Sequence, residues 1–80
     1  MFTAQDAREN AQHPRAELMK EVERAIIEAS DLGQYDTQIA VYGKINVLNL
    51  KTIQRILKAY GYLSYIEIET KKTAVLYIHW

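Results

Sequence analysis

Between residues 18 and 29 the apolar side chains fall at Leu18, Val22, Ala25, Ile26 and Ala29, a spacing that aligns them along one face of an α-helix. Met19 widens that stripe. On the remaining surface Glu17/Lys20, Glu21/Arg24 and Arg24/Glu28 stand three or four residues apart, where an ion pair adds about 0.2–0.5 kcal/mol. Pro14 suits the first turn of such a helix, because it has no amide hydrogen to leave unbonded there. Gly33 supplies a left-handed stop. The pattern predicts a helix over 14–31. Ahead of it, Thr3 as N-cap and Asp6 in the first turn start a shorter helix through about Asn10, with Ala4, Ala7 and Ala11 as a thin apolar face. The two helices are separate, or joined through a kink at Pro14.

From Tyr35 the period shortens to two. Thr37, Ile39 and Val41 alternate with Asp36, Gln38 and Ala40, which predicts a strand over 35–42 closed by Gly43. Helical spacing returns at Leu50, Ile53, Ile56, Leu57 and Tyr60, a buried stripe capped by Asn46 or Asn49 and ended by Gly61. Over 62–69 alternation resumes, with Ile66 and Ile68 opposite Glu67 and Glu69, and 70–73 is a polar turn around Lys71 and Lys72. The final segment, 74–80, is apolar on nearly both faces. Ala74, Leu76, Ile78 and Trp80 point one way, and Val75, Tyr77 and His79 the other.

A strand with two apolar faces belongs inside a sheet rather than at its edge. A right-handed strand–helix–strand unit leaves room for a third strand between its two. The expected fold is therefore α+β: an N-terminal helix or kinked helix pair, then β-α-β-β, with strand order 1-3-2 and the helices on one face. One domain spans 1–80, helical over 1–33 and β-α-β-β over 34–80. Tyr35, Tyr42, Tyr62, Tyr65 and Tyr77 can populate either sheet face, and several belong outside the core.

Composition narrows the possibilities. With 49% hydrophobic and 25% charged residues the chain has the make-up of a folded domain. The absence of cysteine removes disulfides, thiolate nucleophiles and thiolate metal sites. Gln5, Asp6, Arg8, Glu9 and Asn10 stand where a signal peptide needs an apolar run, and no segment approaches a membrane span, so a reducing cytoplasm is the expected location. Net charge is zero but unevenly spread. Residues 1–33 hold seven acids against four bases, and residues 34–80 hold six bases against three acids. That dipole can orient a second copy or a charged partner. It falls short of the concentrated basic excess of a sequence-specific DNA binder.

Catalytic chemistry finds little support in the sequence. Ser30 and Ser64 have no base in a nucleophile arrangement, His13 and His79 form no metal-ligand spacing, and the three glycines stand singly rather than in a phosphate loop. Glu67 and Glu69, about 7 Å apart on one strand face, read as a soluble surface or an edge-protecting pair. No enzyme activity, metal or cofactor is expected. One binding candidate stands out. Lys51, Arg55 and Lys58 form a basic stripe roughly opposite Ile53, Leu57 and Tyr60. It can grip a nucleotide-sized anion, with Tyr42, Tyr62 or Tyr65 stacking on the base. A plain solvated helix face accounts for the same three charges.

Several punctuation motifs carry a family likeness. They are Thr3-Ala4-Gln5-Asp6-Ala7-Arg8, Ile26-Ile27-Glu28-Ala29, Gly33, Gly61-Tyr62 and the terminal Ile78-His79-Trp80. Over nearly its full length the chain resembles very small accessory and virion-associated proteins of tailed bacteriophages. Pro14 and the 46–49 stretch depart from that pattern. The resemblance implies a viral accessory protein and assigns no active site. Two roles follow as expectations: a non-enzymatic binding module that antagonises a host protein or sequesters a small anionic ligand, or a minor structural protein of the virion. Self-association, most simply as a homodimer, is expected because so short a chain buries a limited core and its tyrosines suit an interface.

Overall fold

The computed structural model describes residues 3–12, 15–43 and 45–80. Its elements are α1 (Ala4–Gln12), α2 (Arg15–Asp31), β1 (Asp36–Tyr42), α3 (Val47–Ala59), β2 (Leu63–Thr70) and β3 (Thr73–His79). The break expected at Pro14, and His13 beside it, lie outside the described residues. The three strands form one antiparallel sheet in the order β1-β3-β2, as the two-faced apolarity of the last segment predicts.

Ile39 and Ile66 flank Leu76 from the two sides, and Thr37 and Ser64 flank Ile78. The ladder runs one residue past β3, because the Trp80 amide donates to the Tyr35 carbonyl at 2.9 Å. Trp80 also meets Tyr62 edge to face, with ring centroids 6.0 Å apart. The C-terminus is thereby tied into the fold.

Helices α2 and α3 cover one face of the sheet. Val22 of α2 and Ile53 and Leu57 of α3 pack on Ile39, Leu76 and Ile78, with Leu18, Met19, Ala25, Ile26, Ile66 and Trp80 around them. α2 lies over β1 and α3 over β2. Both helices end alike. Gly33 and Gly61 take positive φ (79° and 91°), and the amides beyond them fold back onto the last turn. The Gln34 amide donates to Ala29, and the Tyr62 amide to Leu57. This left-handed cap reverses the chain into a strand each time, and only glycine enters that region without steric cost. At the other end of α3, Asn46 is the N-cap, its Oδ1 accepting the Asn49 amide at 3.2 Å.

Three expectations need correction. Ile56 and Tyr60 are not part of a buried stripe, since Tyr60 is 80% exposed and Ile56 36%. The buried face of α3 is narrower (Asn49, Leu50, Ile53 and Leu57), and Ile56 and Tyr60 instead line a groove of about 450 Å³ with Met19, Ile26 and Ile27 of α2. The pairs Glu17/Lys20, Glu21/Arg24 and Arg24/Glu28 form no ion pair among the described residues, in keeping with the small gain such exposed contacts offer. The first helix runs to Gln12, past the end expected near Asn10, and Ala4, Ala7 and Ala11 on its thin apolar face are all exposed.

Because Leu76 and Ile78 are 0% and 1% exposed, Leu76→Ala and Ile78→Ala should each cost about 2–5 kcal/mol in urea unfolding. Removing residues 78–80 should abolish cooperative folding. A truncated chain with dispersed, native-like amide signals would show that β3 does not hold the sheet together.

Candidate functional site

The cations of α3 follow from its geometry. With Leu50, Ile53 and Leu57 turned inward, residues 51, 55 and 58 must project away from the sheet. All three are exposed, and they turn toward the β2 side of the helix. There they line a groove of about 440 Å³ with Gln54, Tyr62, Leu63 and Ser64. No acidic residue lines it, and none of the three cations has an ion-pair partner among the described residues. From residue 51 to residue 58 the helix rises about 10 Å, so the charges form a row rather than a single point.

One wall of the groove is the free edge of β2. Gln54 holds the two walls together, its Nε2 donating to the Ser64 carbonyl at 3.3 Å. The sequence offered a signal for this residue, since Gln54 sits three positions beyond Lys51 and four before Lys58. Its partner, Ser64, becomes visible only once β2 is known to be an edge strand.

Tyr62 is the one candidate tyrosine that the fold brings to the basic stripe. It stands directly after Gly61, half-buried between the core and the groove. Tyr42 and Tyr65 are placed elsewhere. Strand alternation puts them on the opposite face of the sheet, which none of the described helices covers, together with Gln38, Val75, Tyr77 and the exposed Leu63. The sequence could not assign these sides, because an amphipathic tyrosine fits either surface of a sheet.

That uncovered face has its own order. The Tyr65 and Tyr77 rings stack at 4.7 Å and 16°. The Tyr77 hydroxyl donates to Glu67 Oε2 at 3.2 Å. This hydrogen bond is the main reason the Tyr77 phenol titrates above its usual value; desolvation and the nearby carboxylate charge of Glu67 act the same way. Glu67 and Glu69 are exposed on the edge strand, the position in which charges discourage strand pairing.

Among the described residues no group of three His, Cys, Asp or Glu side chains could hold a metal ion, and no helix is long and apolar enough to cross a membrane. Ser30 Oγ donates to the Ile27 carbonyl within its own helix, and His79 is exposed beside Asp36 on the uncovered face. Comparison with protein families, curated proteins and solved structures finds no match to this chain.

The Tyr77 contact gives a direct check on the uncovered face. Glu67→Gln removes the carboxylate that favours the neutral phenol, so the Tyr77 pKa should fall toward the ordinary value of about 10. Ultraviolet titration of tyrosinate absorbance reads this change. An unaltered Tyr77 titration in the variant would exclude Glu67 as the cause.

Proposed function

We propose that this protein is a small, non-enzymatic binding module of the tailed-phage accessory type, whose basic groove sequesters a small phosphate-bearing ligand. The observation that carries the reading is the lining of the groove beside β2. Lys51, Arg55 and Lys58 stand in a row there beside Gln54 and Ser64, and no carboxylate among the described residues lines the groove to compete with an incoming anion. Unpaired cations lose nothing within the protein when they take up a ligand oxygen, and charge-assisted bonds to phosphate are about twice as strong as neutral ones.

Size and shape set the ligand class. A volume of about 440 Å³ lies within the range of small-molecule sites, roughly 300–1,000 Å³. A row of cations about 10 Å long matches a polyphosphate or a dinucleotide better than a single phosphate group. Tyr62 at the end of the row offers an aromatic edge to a base or sugar, whereas Tyr42 and Tyr65 take no part. The same arrangement fits sequestration rather than turnover, since among the described residues no carboxylate or imidazole lines the groove to activate the Ser64 hydroxyl or a water.

Calorimetric titration with ATP and with a cyclic dinucleotide tests the proposal. Wild-type protein should bind at least one of them, more weakly as salt increases. The triple variant Lys51→Gln/Arg55→Gln/Lys58→Gln should keep its circular dichroism spectrum, because all three side chains are exposed. Its affinity should fall by about tenfold or more for each cation lost, since contacts to charged groups are worth about 1.5–3 kcal/mol. Absence of wild-type binding at millimolar ligand, or equal binding by the variant, would remove the groove from consideration as an anion site.

A further inference from the structure

The two edges of the sheet are treated differently. The edge of β2 is blunted: Gln54 occupies the outward carbonyl of Ser64, the strand bulges between Ile68 and Thr70, and Glu67 and Glu69 stand exposed along it. Each of these devices discourages the addition of another strand. The edge of β1 has none of them. Its register against β3 is unbroken from Asp36 to Tyr42, and it contains no proline, no lysine and one charge, Asp36, at its very start.

The ladder identifies the groups left free on β1. Trp80 donates to Tyr35, and Gly43 donates to Lys72. Odd-numbered residues therefore bond inward to β3, and Asp36, Gln38, Ala40 and Tyr42 direct their amides and carbonyls outward. Among the described residues no side chain occupies these outward groups. Four successive unblunted positions form a template for one more strand.

Charge decides what that strand would be. α2 lies over β1 and turns Met19, Glu23, Ile26 and Ile27 toward α3. At 3.6 residues per turn, the opposite flank, on the side of the free edge, carries Glu21 and Glu28 with Glu17 next to them. Among the described residues the nearby cations are Lys20 and Arg24, toward the outer surface of α2, and Lys72, beside the far end of β1. An added strand would lie about 4.8 Å outside β1, with every second side chain turned toward the α2 flank. A second copy pairing through its own β1 would set two acidic flanks side by side, an arrangement that like charges oppose.

We infer that the β1 edge is a docking site for an extended, basic segment of another protein, which adds as a fourth strand with lysine or arginine at alternate positions facing Glu21 and Glu28. The partner's backbone supplies the hydrogen bonds, and its cations supply the selectivity. This site lies on the opposite flank of the molecule from the basic groove, and the inference does not depend on a ligand being bound there.

Amide hydrogen exchange measured by NMR tests the site, with a ten-residue peptide alternating lysine and threonine as probe. Exchange of the Gln38 and Ala40 amides should slow by about tenfold or more at saturating peptide, and a peptide with glutamate in place of lysine should leave it unchanged. Glu21→Gln/Glu28→Gln, confined to the helix surface, should weaken binding of the lysine peptide and reduce its salt dependence. Ala40→Pro, which removes an outward amide without touching the β3 ladder, should abolish the protection of Gln38. Three results would overturn the inference: no protection at millimolar peptide, equal protection by the acidic peptide, or edge amides already protected in a self-associated protein detected by sedimentation.

Discussion

Everything in this fold depends on β3 being hydrogen-bonded on both sides. It follows both of its neighbours in the sequence, so β1 and β2 cannot join one sheet until β3 has been inserted between them. The core is built around the same strand. Ala74, Leu76 and Ile78 are the most deeply buried row of the sheet, and each helix reaches that row from its own side. For a chain of this size with no cysteine to staple it, the burial of a few aliphatic side chains, each worth about 1.5–3 kcal/mol, is a large share of the net stability.

With β3 central, β1 and β2 are the edges of the sheet, the described helices leave one of its faces uncovered, and α2 and α3 give the two edges different electrostatics. α2 and α3 lie side by side over the sheet, so the outer flank of each stands beside one edge. On α3 that flank is basic and lines a groove. On α2 it carries glutamates beside a bare strand. The two flanks thus carry charge of opposite sign, and a phosphate-bearing ligand and a basic peptide, as proposed above, would be drawn to opposite sides of the molecule.

The fold was largely legible in the sequence because its signals were local and redundant. Gly33 and Gly61 each follow a helical stripe and precede an alternating segment, so the stops and the change of period agree. The two-faced apolarity of 74–80 fixed the middle strand without knowledge of any contact. Ile56 and Tyr60 were misjudged because periodicity marks an apolar flank without showing whether a neighbour closes over it; here α2 leaves a groove. Asn46 and Asn49 were indistinguishable as caps until φ and ψ at the helix start were known. Of the candidate site, the cationic stripe was readable from spacing alone. Which tyrosine joins it depends on the register of β2 against β3, a long-range property that no short window contains.

The anion site proposed between α3 and the start of β2 would confine uptake to that one flank. Backbone amide chemical shifts followed during titration with ATP test it most directly. Saturable shifts are expected at Lys51, Gln54, Arg55, Lys58 and Tyr62 to Ser64, with Gln38 and Ala40 unmoved. Shifts centred on β1 or on the tyrosine face, or a weak response spread evenly over all exposed lysines without saturation, would contradict it.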